Sequence, residues 1–129
     1  DETELGIMVE TTVYKHLLSF YQGSAAQLGY FRKAKNNQKE VDVVIELPRG
    51  KILCEVKYKG NSHIPATDAI VELCKDRESR VTNAFLVTKK LEDAGCARHE
   101  TAVPILRVPA LVFLYLLGRA EAEGRRGKL

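Results

Sequence analysis

The stretch KEVDVVIELPRGKILCEVKYKG, Lys39 to Gly60, decides how the rest of the chain is read. Two apolar runs, Val41 to Leu47 and Ile52 to Tyr58, flank Pro48 to Gly50, a turn signal, so the segment predicts two strands joined as a hairpin. Besides Glu46 near the turn, three charged residues, Asp42, Glu55 and Lys57, lie in the parts of the strands where burial is expected. Side chains alternate faces along a strand, so Glu55 and Lys57 share one face while Cys54 and Val56 take the other. With Arg49-Gly50 as the turn, the antiparallel register sets Asp42 opposite Lys57 and Val44 opposite Glu55. Asp42 and Glu55 are then diagonal neighbours about 7–8 Å apart at the backbone, a spacing from which two carboxylates can converge on one ion.

Burying unpaired carboxylates costs several kcal/mol. One account is a cross-strand ion pair in which Lys57 neutralises Asp42 or Glu55, which explains one acid and leaves the other. A hard divalent cation held by both acids, with Lys57 beside it, explains all three, because Mg²⁺ takes one or two protein carboxylates plus water and substrate phosphate.

Working outward, Ile7 to Gln22 carries Val9, Val13, Leu17 and Phe20 at helical spacing, with Gly23 as a stop. Leu28 to Lys33 reads as a first strand, and Asn36-Asn37 as a turn before the hairpin. Ala66, Ala69, Ile70 and Leu73 mark a second amphipathic helix ending near Arg77. Val81 to Thr88 is a fourth strand and Lys89 to Gly95 a polar connection. Ala102 to Val108 is a fifth strand, and Pro109 stands where a first helical residue would open an apolar helix to Leu117. That helix is either fully buried or docks on another domain or subunit, which allows a homo-oligomer. Residues 1–118 thus form one domain, and 119–129 a charged, flexible tail. The order of helix, three strands, helix, two strands and helix predicts an α/β domain with one mixed sheet flanked by helices.

A chain of 129 residues that is 45% hydrophobic suits one core. Three cysteines without a CxxC pair give neither a disulfide framework nor a zinc site and fit a reducing cytoplasm. The longest apolar run is too short to span a membrane, and no signal peptide is present. The chain begins at Asp1 rather than Met and reads as a piece of a longer protein. His16, His63 and His99 lack partners at metal-ligand spacing. No GxSxG, Walker A or GxGxxG motif occurs. From Arg32 to Lys59 eight Lys or Arg face four acids, a local excess of +4 above the chain's net +3. Arg32, Lys33, Lys35, Lys39 and Lys59 are accordingly candidate contacts to a phosphate backbone, the alternative being solvated strand ends.

Asp42, a strand, a turn, a strand and then Glu55-Val56-Lys57 resembles the core motif of the PD-(D/E)XK nuclease superfamily, whose restriction-endonuclease-like core of helix, three strands, helix and strand matches the order above. Gly6-Ile7-Met8-Val9-Glu10 is similar to the first-helix GxxxE segment whose glutamate joins the site in many members. Over nearly the whole chain, LGIMVETTVYKHLL, EVDVVIEL, CEVKY and VPALVFLYLL together resemble the C-terminal domain of unknown function found behind AAA+ ATPase modules of bacteria and archaea. Glu40-Val41-Asp42 matches the form common in that family. Glu10 also sits where the helix dipole favours an acid.

The resemblance implies a Mg²⁺- or Mn²⁺-dependent endonuclease acting on DNA. Asp42, Glu55 and the Val56 carbonyl would be metal ligands, and Glu10, Asp42, Glu55 and Lys57 the catalytic set. An AAA+ ATPase module in the same chain is the implied partner. The alternative it allows is a catalytically silent module that binds nucleic acid or protein for that ATPase.

Overall fold

Val44 of the second strand lies between Gly29 of the first and Leu53 of the third, and these three-strand contacts anchor the sheet. The computed structural model describes residues 1–32, 40–97 and 99–127, with backbone alone at 32 and 125–127. Helix α1 (Glu2–Phe20) is followed by strands β1 (Gln27–Arg32), β2 (Glu40–Leu47) and β3 (Gly50–Lys57). Helix α2 (Ala69–Lys75), β4 (Val81–Thr88), β5 (Gly95–Cys96), β6 (Ile105–Pro109) and α3 (Ala110–Gly127) complete the described chain. The sheet order is β1-β2-β3-β4-β6-β5. β1, β2 and β3 pair antiparallel, β3, β4 and β6 parallel, and β5 closes one edge antiparallel to β6. The expected α/β class with one mixed sheet between helices is observed.

Each face of the sheet has its own apolar layer. Val44, Leu53, Leu86 and Ile105 pack with Ile70 and Val71 of α2 on one side. On the other, Val43, Ile45, Cys54 and Val87 pack with Val13 and Leu17 of α1 and Phe113 of α3. The central strands are buried on both faces, which is why β2 and β3 read as near-continuous apolar runs rather than alternating ones.

Several boundaries differ from expectation: α1 begins at Glu2 rather than Ile7, α2 spans Ala69–Lys75 rather than Ala66 to Arg77, β6 begins at Ile105 rather than Ala102, and Gly95–Cys96 adds a sixth strand. The hairpin turns at Pro48-Arg49, with Leu47 paired to Gly50, rather than at Arg49-Gly50. Proline's fixed φ suits the first corner of a turn, and the register moves by two residues: Val43 faces Cys54 and Val44 faces Leu53. Asp42 is therefore next in line opposite Glu55, and Lys57 lies beyond the pairing. Pro109 ends β6, paired to Thr88, instead of opening α3. α3 continues to Gly127, so 119–127 is helical rather than a flexible tail. Ala, Glu and Arg favour helix there. An Arg119 Nε to Glu123 Oε1 contact of 3.1 Å supports it from within, and a Ser19 Oγ to Glu121 Oε1 hydrogen bond of 3.0 Å ties it to α1.

β2 also carries a bulge. Gly29 pairs with Val44 but Phe31 with Val41, so Asp42 and Val43 together face Tyr30. The extra residue lets Val41 and Val44, three apart, join the same apolar layer. Among the described residues no helix is long and apolar enough to cross a membrane.

Gly50 holds the hairpin against β4. Its φ is +150°, and a Cβ there would lie 2.4 Å from the Arg80 carbonyl oxygen and 2.8 Å from Thr82 Cγ2. The Lys51 N–H donates to that same carbonyl at 2.9 Å, so the backbone has no room to retreat. Gly50→Ala is expected to cost about 1–3 kcal/mol, read as a lower midpoint in urea with an unchanged slope.

Candidate functional site

The last residues of β3 meet the start of β2 on one flank, the second turn of α1 above and the entry to α2 below. Asp42, at the bulge, turns one carboxylate oxygen onto the neighbouring strand: Oδ2 accepts the Val56 N–H at 2.8 Å. This side-chain bond stands where a ladder bond would be, and it brings the Asp42 carboxyl beside that of Glu55, close enough for the two to share a proton. Two carboxylates share a hydrogen bond only if one holds a proton. Glu55 is 8% exposed. Burial, then the hydrogen bond and charge of Asp42, push its carboxyl up to about 10, against the opposing pull of Lys57.

Glu10 reaches the pair from α1. Its carboxyl is raised by burial, by the charges of Asp42 and Glu40, and by a hydrogen bond to Asp42. Glu10 meets Asp42 and Asp42 meets Glu55, so the three form a chain rather than a ring. Among the described residues no group of three or more His, Cys, Asp or Glu side chains is arranged to hold a metal ion. A cation placed here would find two carboxylates as donors, with Val56 lining the same cleft. That set fits Mg²⁺, which keeps several of its waters and takes one or two protein carboxylates.

Lys57 is not opposite Asp42, as the two-residue register change dictates. Its Nζ lies 3.7 Å from Asp68 Oδ2 at the head of α2. Sequence reasoning missed Asp68 because an acid in the first turn of an expected helix reads as a cap. It does stand at the N-cap of α2, yet its side chain makes no capping hydrogen bond.

These groups line a cleft of about 570 Å³. Its walls carry Glu2, Glu10, Glu40, Asp42, Glu55 and Asp68 against Lys57 and Lys59, so its interior is acidic. Glu2 Oε1 accepts the Gly60 N–H at 3.1 Å and ties the start of α1 to the loop after β3. Of the expected phosphate contacts, Lys59 lies on this cleft, while the Arg32 side chain, Lys33, Lys35 and Lys39 fall outside the described residues. Lys89, which the sequence did not single out, stands 5.6 Å over the Tyr58 ring and adds a cation beside the same edge. Arg49 and Lys51 belong to the opposite end of the hairpin.

Two other candidates are silent. The Cys54 thiol is buried and pushed far up, first by desolvation and then by Asp42 and Glu55, so it is no nucleophile. His99 Nε2 is hydrogen-bonded to the Ile64 carbonyl at 2.8 Å, which fixes the loop leading to Asp68.

A family model for DUF4143, a domain of unknown function, matches residues 5–108. The chain belongs to the DUF4143 family. The match covers most of the chain and takes in Glu10, Asp42, Glu55, Lys57 and Asp68. No curated protein matches this DUF4143 chain.

In this DUF4143 domain the Asp42–Glu55 contact links stability to pH. An unfolded glutamate releases its proton near 4.5, whereas folded Glu55 keeps it up to about 10. Between those values the folded state binds more protons than the unfolded, so stability falls as pH rises, by at most about 1.4 kcal/mol per pH unit. Glu55→Gln, which mimics the protonated form, is expected to melt above the wild type at pH 8 in EDTA. The gap should narrow towards pH 5, and the test is thermal melting across that range.

Proposed function

We propose that this DUF4143 domain is a metal-dependent nuclease-type domain that acts on the phosphodiesters of DNA beside an AAA+ ATPase module of the same chain. The observation that carries the reading is the buried contact between Asp42 and Glu55. Two acids pressed together at the ends of two inner strands are costly unless a proton or a cation joins them. The Val56 amide orients the Asp42 carboxyl towards Glu55. The resemblance of Asp42 and Glu55-Val56-Lys57 to the PD-(D/E)XK pattern supports the same assignment.

Asp42, Glu55 and the Val56 carbonyl would hold Mg²⁺ or Mn²⁺, which when bound supplies Lewis-acid polarisation of a phosphate and a more acidic water. The protein's own groups do the rest. Lys57, 24% exposed at its side chain, presents an ammonium to the cleft and offsets charge developing on the phosphate oxygens. Glu10, in contact with Asp42 and open to solvent, can hold a water or take its proton. Lys59 and Lys89 lie at the border of an otherwise acidic cleft and suit the flanking phosphates, which are met by cations irrespective of sequence.

The second reading, a silent docking module for the ATPase, draws on α3. Leu111 is 80% exposed there, and Tyr115 and Leu116 are exposed beside it, an apolar surface of the kind that meets another domain.

The two readings part on metal and on Lys57. Mn²⁺ is expected to raise the melting temperature, and Asp42→Ala to abolish the rise, because an ion that binds only the folded state stabilises it by mass action. Lys57→Ala should keep DNA binding and lose about 10²-fold in cleavage rate. Wild-type protein that is unmoved by millimolar Mn²⁺ and nicks no single-stranded, duplex or branched DNA would leave the docking module.

A further inference from the structure

Lys57 has two sets of acids within reach, and the structure gives it to only one of them. Its Nζ pairs with Asp68 at 3.7 Å, while Asp42 and Glu55 pair with each other. A lysine side chain has four rotatable methylenes, so this choice needs a cause. Asp68 is firmly placed: its N–H donates to the Pro65 carbonyl at 3.1 Å, and its carbonyl accepts the Glu72 N–H at 3.0 Å. The residues that follow, Ala69, Ile70 and Val71, are buried in the sheet's apolar layer. The Asp68 carboxylate is free of capping duty and only 20% exposed, so it is a fixed anion facing Lys57.

We propose that Asp68 is a positioning residue that holds the Lys57 ammonium away from the Asp42–Glu55 pair, keeping the pair open to a divalent cation and the ammonium turned towards the cleft. The inference rests on the metal reading above and adds to it a residue outside the catalytic set. Without Asp68, the nearest compensation for the Lys57 charge is the carboxylate pair itself. An ammonium seated there would compete with a metal ion for the same oxygens. Asp68 thus acts mainly through Lys57, with a smaller through-space effect of its own charge on Glu55.

That distinction sets the test. A lost negative charge near a cation weakens binding through space whatever Lys57 does, so the effect of Asp68→Asn must be measured with and without Lys57. The affinity for Mn²⁺ alone, read from the free-ion resonance of Mn²⁺, is compared for wild type, Asp68→Asn, Lys57→Met and the double variant of the 129-residue chain. Asp68→Asn is expected to weaken Mn²⁺ binding roughly 10-fold when Lys57 is present and less than about 2-fold when it is Met. Asp68→Glu should restore most of the loss, and melting curves confirm that each variant folds. Equal effects of Asp68→Asn in both backgrounds, or none in either, would overturn the positioning role and leave the metal reading standing. A wild type that binds no Mn²⁺ would end both together.

Discussion

A single hydrogen bond, from the Val56 amide to Asp42 Oδ2, sets the geometry on which the rest of the site depends. It takes over where the β2–β3 ladder stops and fixes the Asp42 carboxyl against Glu55. With Glu55 buried against Asp42, the two cannot readily both carry full charge without a counter-ion. Either a proton sits on Glu55, as the upward shift of its carboxyl indicates, or a cation replaces it. Lys57 is committed to Asp68, and Glu10 adds a further acid from α1.

The sheet is built to hold this arrangement. β3 pairs antiparallel on one side and parallel on the other, and the site lies where its parallel half ends. Ligands in parallel α/β sheets collect outside the carboxyl ends of the strands, where helices and loops from both faces converge. Here α1 approaches from one apolar layer and α2 from the other, so Glu10 and Asp68 are delivered to opposite flanks of the same two strands. The layers make the framework rigid, and the cleft between the elements holds the exposed charge.

Much of this was legible in the sequence, for identifiable reasons. Apolar runs bounded by Pro48 to Gly50 located both hairpin strands, and a period of two placed Asp42 with Glu55. That placement survived a register error because a shift of two residues keeps the face. The partner of Lys57 did not survive, since the turn residues that set the register can be divided in two ways around Pro48. The bulge at Asp42-Val43 was hidden because it shows only against β1. Asp68 was hidden because a cap and a half-buried ion-pair partner look alike in one dimension. The full length of α3 is not evident from its charge, which also marks frayed ends, although Ala, Glu and Arg are strong helix formers and Ser19 of α1 meets Glu121.

The central claim is that the Asp42–Glu55 pair exchanges a shared proton for a divalent cation. Calorimetric titration of the metal-free protein with Mn²⁺ at pH 7, repeated in buffers of different ionisation enthalpy, counts protons released per ion bound. The account predicts one site with about one proton released, and less than half of that from Glu55→Gln. Binding at that site with no proton release, or no binding at all, would contradict it.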